Sequence, residues 1–224
     1  MKSVYFLSDA HLGCRSIPHD RTRERRLVRF LDGIKDKASA VYLLGDIFDF
    51  WYEYKTVVPR GYTRFLGKLS ELADRGVEVH FFTGNHDIWC GDYLVKECGV
   101  TLHTEPMTVE MGDKVFMLAH GDGLGDPDRK FRFLRAVFRN RLCQRMFSCI
   151  HPRWAVDFGL SWAAHSRLKH GVEGGDPPYL GEDKEYLVRF AKEYLKAHSE
   201  INYFIFGHRH IELDLMLTRS SRVL

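Results

Sequence analysis

The stretch Ala40-Val41-Tyr42-Leu43-Leu44-Gly45-Asp46-Ile47-Phe48-Asp49-Phe50-Trp51 decides the fold. Its first five residues are an unbroken apolar run, short enough to be a strand and apolar enough to be covered on both faces. Gly45 then lets the backbone turn sharply off the strand. Asp46 emerges at the strand's carboxyl end, where a carboxylate faces outward from the sheet. The same shape recurs along the chain. Val4–Leu7 delivers Asp9-Ala10-His11, and Val77–Phe82 delivers Gly84-Asn85-His86-Asp87. Lys114–Ala119 delivers His120-Gly121-Asp122, and Tyr203–Phe206 delivers Gly207-His208-Arg209-His210.

Helical patterns separate the first three strands. Leu27, Phe30, Leu31 and Ile34 share one face of a first helix, with arginines on the other side. Phe65, Leu66, Leu69 and Leu72 do the same over Tyr62–Asp74, which stops at Gly76. The order βαβαβ favours a parallel sheet with its ligands gathered at the carboxyl ends of the strands. Beyond it, Met107–Met111 and Lys114–Ala119 flank Gly112-Asp113 as a hairpin. Asp183–His198 has a helical pattern, and Glu212–Leu217 has the pattern of a strand. The chain's last residues, Arg222-Val223-Leu224, show no closing turn, so the natural chain is expected to continue.

The chain's 224 residues, 45% of them apolar, suit one globular domain over 1–224 with a full core. No apolar run is long enough to span a bilayer, and the start lacks the pattern of a signal peptide. The five cysteines (Cys14, Cys90, Cys98, Cys143, Cys149) have no C-x-x-C spacing and fit reduced thiols in the cytoplasm. The net charge of +3 is uneven. From Pro127 to His170 ten basic residues face only Asp128 and Asp157, a net +8 that leaves −5 for the rest.

That basic stretch belongs to an insertion over 125–181. Phe131, Leu134, Val137 and Phe138 recur at helical spacing, with Arg132, Arg135 and Arg139 on other faces. Trp154, Val156, Phe158, Leu160 and Trp162 follow, then a loop rich in Gly and Pro over Gly171–Gly181. The insertion is expected to be a helical cap over the strand ends. A basic segment with Phe131, Phe133, Phe138, Phe147, Trp154 and Trp162 suits an anionic membrane surface and acyl chains. The bland alternative is an amphipathic cap packed on the domain with its arginines solvated.

The five clusters together hold enough carboxylate, imidazole and amide groups for two adjacent divalent cations. Asp46 is the natural bridge between them. Asp9 and His11 stand two apart, so on extended backbone they point to one side, and His208 and His210 repeat that spacing. Asn85 offers a carbonyl oxygen and His120 a further imidazole. Mixed O and N donors exclude a structural thiolate zinc site and suit Mn²⁺, with Fe²⁺, Zn²⁺ or Mg²⁺ as alternatives. Any one cluster alone would pass for turn chemistry, a helix cap or a core histidine. Their conjunction in one order is what points to a site. The other histidines (His19, His80, His103, His151, His165, His170, His198) are left to packing or the surface, with His165 set apart because it lies in the cap.

The ordered set Asp-x-His, Gly-Asp-x-x-Asp, Gly-Asn-His-Asp, His and Gly-His-x-His closely resembles the calcineurin-like metallophosphoesterase superfamily, from Asp9 to His210. The resemblance implies an α/β two-sheet sandwich (αββα), here with a helical cap insertion. It implies one cation held by Asp9, His11, Asp46 and His210, and a second by Asp46, Asn85, His120 and His208. It sets His86 against the scissile phosphate, oriented by Asp49, so that His86, Asn85 and Asp49 form the catalytic group. Phe50-Trp51 and Asp87 depart from the protein phosphatases, which carry Arg-Gly and Glu there. The run from Gly45 to Trp51, the opening Ser8-Asp9-Ala10-His11-Leu12-Gly13 and His120-Gly121-Asp122 before a basic cap look like the UDP-2,3-diacylglucosamine pyrophosphatases of lipid A synthesis. The best-known members have Arg in place of His86 and Glu in place of Asp49.

What that resemblance implies is a lipid-linked nucleotide substrate, cleaved at its pyrophosphate. Asp128, Phe131, Arg132, His165 and Arg167 of the cap are expected to contact it. The enzyme is expected in the cytoplasm, peripheral on the anionic face of the inner membrane. Two alternatives stand beside it. A nuclease would also use a basic cap, but no stacking-platform motif is present, which argues against nucleic acid. A metal-stabilised scaffold that binds membranes or partners would have no need of the complete ligand set.

Overall fold

Period-two alternation sorts the strands into layers. In β2 (Ala38–Leu43) and its extension to Leu44, Val41 and Leu43 point into one apolar cluster, while Ala40, Tyr42 and Leu44 point into another. β1 (Ser3–Leu7) and β3 (Glu78–Phe82) split the same way, with Tyr5, Leu7, Val79 and Phe81 on one side and Val4, Phe6 and Phe82 on the other. A two-sided apolar strand needs cover on both faces, and this chain supplies helices on one face and a second sheet on the other.

The computed structural model describes residues 2–15, 20–169 and 178–224, without the side chains of residues 20 and 165–169. β1, β2, β3 and β4 (Thr101–His103) form a parallel sheet in sequence order. Its crossovers are α1 (Asp20–Ile34), α2 (Thr63–Asp74) and α3 (Tyr93–Cys98), and α1 and α2 pack on the first cluster around Phe48, Phe65 and Leu69. The second sheet has the order β5-β6-β7-β9-β8. It is built from β5 (Met107–Met111), β6 (Lys114–Ala119), β7 (Tyr203–Phe206), β8 (Leu215–Met216) and β9 (Arg222–Val223). Leu118 and Ile205 face the first sheet, while Met117 and Phe204 face α7 (Tyr186–Tyr194). The layers are therefore helix, sheet, sheet, helix.

The cap consists of α4 (Arg129–Arg139), α5 (Arg141–Ser148) and α6 (Pro152–Lys169). It is tied down by main-chain acceptors. Trp89 Nε1 donates to Phe138 O at 2.6 Å, and Tyr52 OH donates to Gln144 O at 2.7 Å. Arg139 donates to Thr104 O at 3.0 Å and Glu105 at 2.9 Å. Gly159 of α6 lies against the Phe50 ring, where a Cβ would collide.

Three details differ from the sequence expectation. Phe30, assigned to the core face of α1, is 44% exposed, because the apolar residues that α1 packs on the core are Leu27, Val28, Leu31 and Ile34. The strand expected over Glu212–Leu217 shrinks to Leu215–Met216, paired with β9 instead of with a longer neighbour. α3 and β4 were not foreseen; both are too short to carry a clear period. Of the loop expected over Gly171–Gly181, residues 171–177 lie outside the described residues.

α2 starts without a cap from the residue that precedes it. Its preceding residue, Tyr62, has φ 59 and makes no side-chain cap. The buried Glu24 of α1 accepts from Arg64 N at 3.2 Å and Phe65 N at 3.3 Å instead. Glu24→Ala should lower stability by about 1–2 kcal/mol, the usual range for a lost helix cap with a buried acceptor. Glu24→Gln, which keeps an acceptor, should lose less. Urea unfolding of the two variants separates these outcomes.

Candidate metal centre

The strand ends converge on Asp46. Its carboxylate is buried, and His86 N donates to its Oδ1 at 2.8 Å. His120 Nε2 lies 3.3 Å and His11 Nε2 3.9 Å from Oδ2. On one side His11 Nε2 and His210 Nε2 face each other at 3.0 Å, with Asp9 Oδ1 at 3.2 Å from His210. On the other, His120 Nε2 stands 3.3 Å from Asn85 Oδ1, and His208 completes a trio with Asp46 and His120.

Three donor trios result: Asp9, His11 and His210; His11, Asp46 and His86; and Asp46, His120 and His208. Within each trio the donor atoms lie within 4.8 Å of one another. At 3.0 Å at most one of the His11 and His210 ring nitrogens carries a proton, which it donates to the other. Carboxylate, amide and imidazole donors clustered this way, with no thiolate among them, fit a pair of divalent cations.

The backbone is bent to make this possible. Among the described residues, the non-glycine positions with positive φ are Asp9, His11, Asp46, His208, His210 and Tyr62. Five of these six are candidate ligands. Left-handed backbone at such residues costs of order 1–3 kcal/mol each and persists only where the surroundings over-determine it. They do so here. His11 N donates to Asp46 O at 2.9 Å, Leu12 N to Ile47 O at 2.8 Å, and Gly207 N to His120 O at 2.9 Å. Asp87 is the clasp. Its buried carboxylate accepts from Gly84 N at 2.7 Å, Asp46 N at 3.2 Å, Ile47 N at 2.9 Å and Phe48 N at 3.3 Å. Gly45 has φ +87, and a Cβ there would meet the His120 ring at 2.6 Å. Gly84 is packed so closely on the Asp46 carboxylate that a Cβ would overlap it.

Second partners orient the rings. His120 Nδ1 donates to Leu44 O at 2.8 Å, which leaves Nε2 for a cation. His86 Nδ1 donates to the main-chain carbonyl of Asp49 at 2.9 Å. The Asp49 carboxylate lies nearer His11 Nδ1, at 3.3 Å, than His86 Nδ1, at 3.8 Å. Asp49 thus steadies both histidines, one through its side chain and the other through its backbone. The loop bearing His208 and His210 is held by Arg209, which forks onto the buried Glu185 at 3.0 and 3.1 Å. Asp87, Glu185 and Arg209 carry no periodicity, and only Asp87's place in the Gly-Asn-His-Asp run could have drawn notice in the sequence.

The electrostatics divide the imidazoles. Burial alone would raise Asp46, but His120, His86 and His11 outweigh it and hold the carboxylate well below its usual range. For His120 burial works against protonation, yet the Asp46 charge and hydrogen bond raise it well above an ordinary imidazole. His208 goes the other way, pulled down to about 4 by burial and by the charge on His120. Asp87 is pushed up to about 7 by burial and the neighbouring Asp46, against its backbone donors.

The cap residues separate. Phe131 lies with its ring 5.8 Å from that of His208. Asp128 spends its carboxylate on the start of α4, accepting from Lys130 N at 2.8 Å and Phe131 N at 3.3 Å. Arg132 is exposed and does not line the cavity beneath the cap. The arginine that does is Arg135, ion-paired to the buried Asp122 beside His120. His19, His170 and the side chains of His165 and Arg167 lie outside the described residues.

The chain is similar to known proteins over most of its length. The family model for calcineurin-like phosphoesterases matches residues 2–212. A UDP-2,3-diacylglucosamine hydrolase of Porphyromonas gingivalis is 45% identical over 99% of this chain and 88% of its own. One from Neisseria meningitidis is 33% identical over 79% and 72%. A solved structure from Aquifex aeolicus, of a protein of unknown function, covers 93% of this chain and 80% of its own at TM-score 0.46 and 16% identity. The chain belongs to the calcineurin-like phosphoesterase family. It is a hydrolase that works with divalent cations.

Because His120 is held protonated by Asp46, a cation must displace that proton on binding. Metal affinity should therefore rise with pH, with protons released. Calorimetric titration of the metal in two buffers of different ionisation enthalpy measures that release directly; a buffer-independent heat would contradict it.

Proposed function

We propose that this chain hydrolyses the diphosphate of UDP-2,3-diacylglucosamine to UMP and 2,3-diacylglucosamine 1-phosphate, with Mn²⁺ as the working cation. The observation that carries this reading is a cavity of about 190 Å³ between cap and core. Its wall runs from Asp49, Asn85 and His86 at the centre to Phe131, Phe147, Phe158 and Trp162 of the cap. A phosphate-cleaving centre that opens straight into an aromatic, water-poor chamber suits a substrate with a diphosphate at one end and acyl chains at the other. The names of the relatives point the same way.

Two divalent cations, when bound, make water nucleophilic near neutral pH and neutralise charge on phosphoryl oxygens. The seven residues Asp9, His11, Asp46, Asn85, His120, His208 and His210 are proposed to hold them, with Asp46 shared. Asn85 and His86 face the cavity and contact the phosphate. The tautomer of His86 is set by Asp49 O, which leaves Nε2 to meet the substrate. As imidazolium it gives its proton to the departing lipid phosphate oxygen. Arg135, anchored by Asp122, adds a fixed positive charge to the same wall.

The substrate's acyl chains require access from a bilayer, and no helix of the described residues is long and apolar enough to cross one. The cap exposes Phe133, Leu142, Met146 and Trp154, an apolar outer surface interleaved with arginines. This surface is proposed to rest on the anionic inner face of the membrane, within the cytoplasm.

Asp46→Ala and His11→Ala should each lower UMP release from UDP-2,3-diacylglucosamine by about three orders of magnitude or more, as expected when a cation site is lost. Ala163→Phe, which fills the cavity, should raise KM for the diacylated substrate about tenfold or more while leaving hydrolysis of bis-p-nitrophenyl phosphate unchanged. Equal effects on both substrates would remove the cavity from the reading. Absence of UMP release by the Mn²⁺-loaded protein would end the substrate assignment.

A further inference from the structure

The starts of α1 and α2 carry an arginine patch that the chemistry of the metal centre does not use. Arg21, Arg25 and Arg29 recur at i, i+4 along α1, and Arg60 and Arg64 flank the start of α2. All five are exposed. The two helix starts touch, since Glu24 of α1 caps α2 at Arg64 and Phe65. That cap consumes the one acid among these turns whose side chain is described, and it is buried. No described carboxylate forms an ion pair with any of the five.

This arrangement works against the fold. Like charges at i, i+4 repel along a helix. Cations in the first turn of a helix oppose its dipole, and both helices place arginine there, at Arg21 and Arg64. Local stability therefore gives no reason for the patch, and an anionic partner does. The position of the patch indicates which one. Arg23 of the same helix donates to Ala10 O at 3.0 Å and His11 O at 3.2 Å, so α1 begins beside the metal loop. Arg15 reaches the cap, pairing with Asp157 of α6 at 2.5 Å, between the exposed Trp154 and Phe158. Arg15 stands five positions before the start of α1, a reach of at most about 18 Å. The segment from Ala10 to Arg15 thus contacts both the start of α1 and the cap.

We propose that Arg21, Arg25, Arg29, Arg60 and Arg64 dock on the anionic phosphodiester headgroups of a lipid bilayer, as a second contact beside the cap. Guanidinium groups grip such phosphates in pairs of hydrogen bonds. The neighbouring Trp and Phe side chains match the interface just beneath the headgroups. Two contacts on adjacent elements would fix the tilt of the molecule and aim the cavity mouth at the membrane. The proposal rests on the membrane reading of the cap.

The test is co-sedimentation of the Mn²⁺-loaded protein with vesicles containing phosphatidylglycerol and with vesicles of phosphatidylcholine alone. The triple variant Arg21→Gln/Arg25→Gln/Arg64→Gln should partition onto the anionic vesicles about a hundred-fold more weakly. Its loss should be smaller at high salt. Its hydrolysis of bis-p-nitrophenyl phosphate should be unchanged and its Tm equal or higher, since repulsion has been relieved. A cap variant, Phe133→Ser/Trp154→Ser, is run in parallel. If the cap variant loses binding and the arginine variant keeps it, the patch is not a lipid contact and the membrane reading survives. If the wild-type protein binds neither vesicle, both fall. If the arginine variant keeps vesicle binding but loses affinity for duplex DNA, measured by fluorescence anisotropy, the patch serves nucleic acid and the proposal is overturned.

Discussion

A carboxylate buried among imidazoles organises this molecule. Asp46 stays ionised in the interior only because His120, His86 and His11 surround it, and those rings keep their places only because strand ends from both sheets deliver them. A buried charge without partners would cost several kcal/mol. The apolar faces of two sheets and the helices that cover them offset that cost and the strain of the left-handed turns. The fold in this sense is a frame that holds ligand loops in conformations they would not adopt alone.

The frame is stiffest where backbone meets side chain. Asp87 draws two loops together through four backbone donors. Glu185 does the same for the last loop through the fork of Arg209. Neither residue points a donor at the cations, yet each sets the spacing between residues that do. The cap is attached differently. Its main anchors are carbonyl oxygens near the ends of α4 and within α5, plus Arg135 on Asp122. Anchors at a few points let the cap's inner surface remain a cavity instead of closing into a core.

Much of this was legible in the sequence, for a physical reason. Buried strands in a two-sided sheet must be apolar throughout, and ligand residues must follow where they end, so Val4–Leu7, Ala40–Leu44 and Tyr203–Phe206 announce both the sheet and the metal-ligand clusters. The features that escaped notice depend on contacts distant in sequence. Arg135 and Arg132 look equivalent on a helical wheel, and only the position of Asp122 distinguishes the one turned inward. Phe30 sits at a core-like spacing but beyond the edge of what β1 can cover, where Tyr5 meets it edge-on. Asp128 has the chemistry of a substrate contact and is spent on a helix start.

Charge was misleading at the scale of whole segments. Counting put the positive charge in the insertion and left the remainder at −5. Charge acts over roughly a Debye length of 8–10 Å, not over a sequence window. Within that distance the start of α1 and the start of α2 are one surface, and Glu24, the acid there whose side chain is described, is buried and used as a cap. Two of the cap's arginines, meanwhile, turn to carboxylates of the core and are lost to the outer surface. Exposed arginines thus lie on the cap and on the start of α1, and Arg23 of α1 holds the metal loop of Asp9 and His11. A substrate carrying both a diphosphate and acyl chains would meet charge and apolar surface together at the one place where its phosphates can be cleaved.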